Sequence, residues 1–217
     1  MKVLITGTSS GIGRTTAIKF LSMGHEVCGI DISKSTIDHA SYTHFIADVS
    51  DKNSLPEIND VEILVNNAGV QTQTEKDIFV NLFGTMYCTE KYGLQPKIKA
   101  IVNMASASAH NGAEFPEYAA SKGGVMTYTK NTAIQVAKYG ATCNSLSPGG
   151  VLTELNRHII EDEKLWQAVM DESMLNKWAE PEEIAEWIYF VAVINKSMTA
   201  QDILIDNGEQ AKANFIW

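Results

Sequence analysis

The sequence predicts an α/β protein: one doubly wound domain over residues 1–217, with a seven-stranded, mostly parallel sheet and helices on both faces. Three observations carry this expectation. Short β-type runs alternate with longer helical patterns along the chain, the rhythm of βαβ units rather than of hairpins. The first run feeds into a glycine-rich turn, Gly7 to Gly13, which opens the first helical pattern. The 217 residues, 45% apolar and 20% charged, can bury one substantial core, and no repeat, linker or low-complexity tract divides them.

Strands are expected at Lys2 to Thr6, Glu26 to Asp31, His44 to Ala47, Val61 to Asn66, Ile98 to Met104, Ala141 to Leu146 and Gln201 to Asp206. From Ile12 to Met23, the residues Ile12, Thr16 and Phe20, flanked by Ala17 and Leu21, form a buried stripe at helical spacing, and Gly24 supplies a stop. Thr74 and Asp77 resemble a capping box, after which Ile78, Leu82 and Met86 recur every four residues. A long helix is expected from Glu117 to Tyr139, ended by Gly140. The last begins at Pro181 with Glu182 and Glu183 in its first turn and runs to about Ile194. The stretches Asp31 to Asp48, Asp48 to Val61 and Gly69 to Asn81 are short for crossover helices with two loops, so the usual helices on that side of the sheet are in doubt.

Composition excludes several classes. Seventeen Lys and Arg against 26 Asp and Glu give a net charge of −9, the wrong sign for a reader of nucleic acid or a binder of acidic lipid. Cys28, Cys88 and Cys143 are odd in number and far apart, giving neither a disulfide framework nor a metal spacing, so no metal is expected. The opening MKVLITG is too short for a secretion signal, and no stretch approaches the roughly 20 apolar residues of a membrane helix. A soluble protein of a reducing compartment, the cytoplasm, is expected.

Two constellations carry chemistry. In the first, glycines let the turn between strand and helix bend sharply and approach a ligand, and the free N–H groups of the helix favour an anion such as a pyrophosphate. The spacing here, G-x-x-x-G-x-G, differs from the G-x-G-x-x-G fingerprint, and a ligand-free turn is the plain alternative. Asp31 closes the second strand about two dozen residues past Gly7, where an acid accepts hydrogen bonds from the adenine ribose. A carboxylate there repels a 2′-phosphate, Ser10, Ile32 and Ser33 add no cation, and Arg14, close in sequence, fits the helix surface equally well, so NAD is favoured over NADP. Asp48, followed by Val49, serves equally as an acceptor for the adenine amino group or as a cap for the next segment.

In the second, Tyr118 and Lys122 stack on one helix face. The same spacing recurs at Tyr87 and Lys91, so context decides. Tyr118 begins its helix after a loop that opens with Ser106 at the end of a buried strand, the place where open parallel sheets bind ligands. An ammonium about 5 Å away at an effective dielectric near 20 favours the phenolate by on the order of 3 kcal/mol, about 2 pKa units, which brings Tyr118 towards a general-base range.

Together these residues resemble the short-chain dehydrogenase/reductase family, in its TGxxxGxG branch. Thr6 to Gly13 match the cofactor turn, Asn66, Asn67, Ala68 and Gly69 match the NNAG segment, and Asn81, Ser106, Tyr118 and Lys122 match the active-site tetrad. Pro148, Gly149 and Thr153 match PG-xxx-T, and Ile205 to Gly208 resemble the closing strand and turn. The resemblance implies a Rossmann-type sheet in the order 3-2-1-4-5-6-7 and an oxidoreductase that interconverts a secondary alcohol and a carbonyl. It implies cofactor contacts at Gly7, Ser9, Ser10, Gly11, Ile12 and Gly13 of the turn, and at Asp31, Asp48 and Val49. Further contacts follow at Asn67, Ala68 and Gly69, at Tyr118 and Lys122, and at Pro148, Gly149, Val151 and Thr153. Tyr118 would exchange a proton with the substrate, Lys122 would hold the nicotinamide ribose and lower the Tyr118 pKa, Ser106 would hold the substrate oxygen, and Asn81 would support a water path. Ala105 and Ala200 depart from a common serine and a common glycine of the family.

The resemblance also implies a substrate lid at about 153–180. There Trp166, Met170 and Met174, widened by Leu165 and Val169, form a stripe that suits either an adaptable pocket wall or an ordinary packed helix. His110, Asn111, Glu114 and Phe115 are further candidates for the pocket. Relatives assemble as dimers of dimers through the helices matching Glu75 to Tyr92 and Glu117 to Tyr139 and through the last strand, where the ending Ala213 to Trp217 would be covered. The expected partner is a small alcohol or ketone, with a homo-oligomer as the assembly. Two other functions fit the same residues: a cofactor-retaining epimerase or dehydratase, and a dinucleotide sensor without turnover.

Overall fold

The computed structural model describes residues 1–112 and 115–212, apart from the side chain of His158. Glu114 and the ending Ala213 to Trp217 lie outside the described residues.

Seven strands form one sheet: β1 (Lys2–Thr6), β2 (Glu26–Asp31), β3 (Tyr42–Ile46), β4 (Ile63–Asn66), β5 (Ala100–Met104), β6 (Thr142–Pro148) and β7 (Asp202–Ile205). Their order is β3-β2-β1-β4-β5-β6-β7, and every neighbouring pair is parallel. Strand alternation sends Val3, Ile5, Val27, Val65 and Val102 into a core under α1 (Gly11–Ser22), while Leu4, Cys28, Ile30, Leu64 and Ile101 enter the core on the other face. Phe20 of α1 is fully buried there against Tyr189, a burial worth about 1.5–3 kcal/mol for a side chain of this kind.

Both crossovers at the β3 edge lack a helix. Residues 32–41 and 47–62 join β2 to β3 and β3 to β4 without one. In its place Leu55, Ile58 and Val61 fill the core directly, and the Tyr92 hydroxyl donates to the Pro56 carbonyl at 2.7 Å. The third strand starts two residues earlier than expected because Tyr42 pairs with Val27 and packs its half-buried side chain against the core.

Past β4, α2 (Gly84–Cys88) is flanked by π-helical turns, Ile78–Phe83 and Thr89–Gly93. The expected capping box is absent from its start. Asp77 instead turns its carboxylate back to the Thr72 N–H (2.7 Å), the Thr72 hydroxyl (2.7 Å) and the Gln73 N–H (3.1 Å). After β5 come the short α3 (Ser108–Asn111) and the long α4 (Pro116–Val136), whose 3₁₀ end Ala137–Tyr139 stops at Gly140, φ +71°. A buried amide chain ties these layers together. Register pairs Asn66 with Asn103, Asn66 Nδ2 donates to Asn103 Oδ1 (2.8 Å) and Thr89 Oγ1 (3.0 Å), and Asn103 Nδ2 donates to Thr129 Oγ1 of α4 (2.9 Å).

From β6 the chain leaves on an excursion, residues 152–178, whose ends meet in the parallel bridge Val151–Ala179. It contains α5 (Arg157–Ile160) and α6 (Glu163–Glu172), the latter capped by Asp162, which accepts the Lys164 and Leu165 N–H groups. Then α7 (Pro181–Tyr189), capped by a Glu180–Glu183 box, returns across the sheet against α1 and ends in a π turn, Phe190–Ile194. No described helix is long and apolar enough to cross a membrane.

Candidate active site

The sheet order reverses between β1 and β4, and a crevice opens at the C-terminal ends of these strands, as such a switch point dictates. Its first half, a cavity of about 530 Å³, is lined by Gly7, Ser10, Gly11 and Ile12 of the turn, by Asp31 and Asp48, and by Val49, Ala68 and Gly69. The turn is tightly stitched. Gly7 takes φ +75° and donates its N–H to the Ile30 carbonyl at 2.7 Å. Thr6 Oγ1 accepts the N–H groups of Asn67 (3.0 Å) and Ala68 (2.9 Å), and Asn67 Nδ2 donates to the carbonyls of Thr6 (3.0 Å) and Gly7 (3.2 Å). A Cβ on Gly13 would stand 2.0 Å from the Gly7 carbonyl oxygen, so only glycine lets α1 start here. No side chain caps that start, which leaves its first N–H groups available to an anion.

Asp31 is oriented from both sides: Oδ2 accepts the Ser9 N–H at 2.9 Å and Oδ1 the Ser33 N–H at 2.8 Å. Asp48 borders the cavity and also holds the next turn through Ser50, whose N–H and hydroxyl it accepts at 2.9 and 2.7 Å. Ser9 and Gly13 line neither half of the crevice. The first orients Asp31 and the second lets the turn close.

The second half, about 420 Å³, brings together Ser106, Tyr118, Lys122, Pro148, Gly149, Val151 and Thr153. It shares Ile12, Asn67, Gly69, Val70 and Thr153 with the first, so the two are continuous. The Lys122 ammonium stands 5.7 Å from the centre of the Tyr118 ring and donates to the Met104 carbonyl at 2.8 Å. Asn81 lies within the first π turn and behind the cavity. Its Nδ2 donates to the Val70 carbonyl (2.9 Å) and Ser121 Oγ (3.0 Å), and its Oδ1 accepts the Val70 N–H (2.8 Å).

The whole-chain comparisons agree with this geometry. The pattern of a family described as enoyl-(acyl carrier protein) reductase matches residues 7–210. The chain belongs to the short-chain dehydrogenase/reductase family. It is accordingly an NAD(P)-dependent oxidoreductase acting on alcohol and carbonyl groups. Among short-chain dehydrogenase/reductase relatives, it is 30% identical to a 3-oxoacyl-(acyl-carrier-protein) reductase of Thermotoga maritima over 94% of this chain and 96% of that one. It is 28% identical to a glucose 1-dehydrogenase of Gluconobacter oxydans, over 99% and 93%. The aldohexose dehydrogenase of Thermoplasma acidophilum superposes with a TM-score of 0.89 at 25% identity, covering 100% of this chain and 96% of that one. ElxO with NADP bound gives 0.88 at 26% (97% and 99%), and 4-hydroxyisoleucine dehydrogenase with NADH gives 0.85 at 25% (98% and 99%).

Within this short-chain dehydrogenase/reductase, the crevice fits the dinucleotide that the family uses: neither Gly7 nor Gly13 of the cradle has room for a Cβ, and an uncapped helix start faces it. The electrostatics correct one expectation. Burial pushes the Tyr118 phenol above its ordinary value; hydrogen bonding from Ser106 opposes this and the Asp77 carboxylate adds to it. Burial acts on Lys122 as well and, against the opposing Asp77 carboxylate, brings its pKa down to about 8.

The pocket wall also differs from the expected Met and Trp stripe. α6 ends at Glu172, so Met174 falls outside it. Met170 is buried in packing and Trp166 stacks edge-on against Trp178, ring centres 5.4 Å apart. Leu165 and Val169 face the cavity, joined by Leu155 and Ile159. His110 pairs with Asp202 at 2.8 Å, and neither it, Asn111 nor Phe115 lines the pocket. Sequence reasoning missed Gln71, Glu172 and Glu209 on the wall and Trp178 packed against Gly150. The only available signal for Trp178 was the adjacency of a glycine pair to the excursion. A wider depression of about 850 Å³ at the opposite ends of the strands has its charges paired with one another, Lys2 with Glu26, Lys97 with Asp60 and Lys99 with Glu62.

Proposed function

We propose that this protein is a single-domain, NAD-preferring dehydrogenase that interconverts a secondary alcohol and its ketone, with Tyr118 as the acid/base. The observation that carries this is the convergence of Ser106, Tyr118 and Lys122 on one cavity continuous with the glycine turn and Asp31. Bound NAD(H) supplies the acceptor or donor of hydride. Tyr118 holds the proton that the substrate oxygen gains on reduction, and its buried, protonated phenol suits that role. The Ser106 hydroxyl donates a hydrogen bond to the same oxygen as negative charge grows there. Lys122, fixed by the Met104 carbonyl, holds the nicotinamide ribose and steadies the phenolate that oxidation requires. Asn81 pins the Gly69–Val70 backbone against the site and supports the path by which the proton reaches water.

NAD preference rests on Asp31. Both carboxylate oxygens are aimed by backbone N–H groups, and no described cation forms an ion pair with Asp31. The excursion at about 153–180 acts as the lid, pinned at the Val151–Ala179 bridge. Phe79 in the π turn before α2 and Ile134 on α4, 47% and 75% exposed, and Trp187 of α7 with Phe190 in the π turn after it support assembly into dimers of dimers. Three buried free thiols suit a reducing cytoplasm.

The test is a panel of secondary alcohols and ketones with NAD(H) and NADP(H), followed at the nicotinamide absorbance. Stoichiometric reduction of NAD by the parent, lost in Tyr118→Phe, is expected. Substrate conversion with no net absorbance change would point to a cofactor-retaining epimerase, and binding without any conversion to a sensor.

A further inference from the structure

The dinucleotide groove is bordered by three carboxylates, Asp31, Asp48 and Glu154. A dinucleotide carries two phosphates into it, and holding that charge beside carboxylates calls for a compensating cation. Among the described lining residues, Lys76 is the one cation. Arg14, nearest to the glycine turn in sequence, donates its Nε to Thr36 Oγ1 at 3.2 Å and does not line the groove, nor does Lys34. Lys122 serves the neighbouring half and is bound to the Met104 carbonyl.

The position of Lys76 follows from the shortness of the segment after Gly69. Asp77, without solvent exposure, ties down Thr72 and Gln73, while Thr72 and Thr74 bond through their hydroxyls at 2.8 Å and Thr74 Oγ1 accepts the Lys76 N–H at 3.3 Å. One turn later Asn81 holds Val70 by both backbone groups. These bonds fix the backbone of Lys76 at the groove rim, whereas its side chain is exposed and makes no ion pair or hydrogen bond with a described residue. Val80, one turn on from Lys76, borders the same groove with Ile32, Ala47 and Val49, an apolar set suited to the faces of a planar base.

We infer that Lys76 is a cofactor-binding residue whose ammonium closes over the ADP half of the bound dinucleotide and supplies the positive charge that this carboxylate-lined groove otherwise lacks. The inference rests on the dinucleotide reading of the groove. An exposed lysine orders only when its anion arrives, and its contribution is screened by salt.

Equilibrium titrations with NADH and with ADP-ribose, at low and at high salt, test it. K76M keeps the stem and removes the charge, K76R keeps the charge, and K34M removes a nearby cation that does not line the groove. At low salt K76M is expected to weaken both ligands by a common factor of about five to twenty and to flatten the salt dependence, with K76R within about twofold of the parent and K34M unchanged. Equal affinities for K76M and the parent at low salt, or an equal loss in K34M, would overturn the assignment of Lys76 alone. A parent that binds neither NADH nor ADP-ribose would overturn the groove reading and Lys76 with it.

Discussion

At the scale of single residues, Lys122 shows how function and stability oppose each other. Burial lowers its pKa from 10.5 to about 8. Between about 8 and 10.5 the unfolded chain therefore holds a proton that the folded chain has lost, so stability rises with pH across that window. The penalty of burying the ammonium is full below it. It amounts to about 3 kcal/mol. Lys122→Met should raise the melting temperature of the cofactor-free protein at pH 7 by several degrees, with the gain fading towards pH 10, while turnover collapses. Calorimetry across pH checks this, and a lower melting temperature at pH 7 would mean that the bond to Met104 outweighs desolvation. Tyr118→Phe should cost about a thousandfold or more in turnover yet leave NADH affinity within about twofold, since the phenol's hydroxyl serves the proton and not the fold. Since burial raises the Tyr118 phenol, alcohol oxidation, which needs the phenolate, should gain rate as pH rises, and ketone reduction should lose it. Asp31→Ser should weaken NADH and narrow its advantage over NADPH by about tenfold, measured by direct titration.

At the scale of elements, the departures from the family pattern have local consequences. Ala200 stands at φ +60° before β7, with its N–H bound to the Cys143 carbonyl at 2.8 Å. A Cβ in the left-handed region costs about 1 kcal/mol, so Ala200→Gly should stabilise the fold by up to that amount, seen as a rise of about 2–4 °C in thermal melting. Phe115 takes the same region at the start of α4, φ 42°, immediately before Pro116, and so stores strain at the start of the helix that carries Tyr118 and Lys122. The central strands and the helices α1, α4 and α7 were legible because glycine stops, a proline start and apolar spacing all act locally. The π turns around α2 were not, because the insertion of a residue into a helical turn is decided by what Asn81 and Thr89 must reach across the core. Thr74 and Asp77 have the spacing of a capping box, but the carboxylate accepts from Thr72 and Gln73, ahead of the expected cap residue, and not from the Thr74 N–H.

At the scale of the whole molecule, ligand linkage gives a direct measure of the crevice. NADH at 100 times its dissociation constant should stabilise the protein by about 2.7 kcal/mol, and a larger melting shift from matched NADPH would reverse the cofactor assignment. Ile134→Asp on the exposed face of α4 should reduce the particle to a smaller species in light scattering if that face joins subunits. The order of motifs along the chain, the glycine turn, the acid after β2 and the serine, tyrosine and lysine near β5 and α4, determined the fold class and the residues that meet in the site, since each follows from backbone geometry or spacing over a few residues. Tertiary structure alone decided the rest. The direction of the Tyr118 shift, the turning away of the methionines and His110, and the arrival of Lys76 at the groove all depend on which distant segments pack around a side chain. Desolvation and long-range charge are set by those neighbours and leave no periodicity in the sequence.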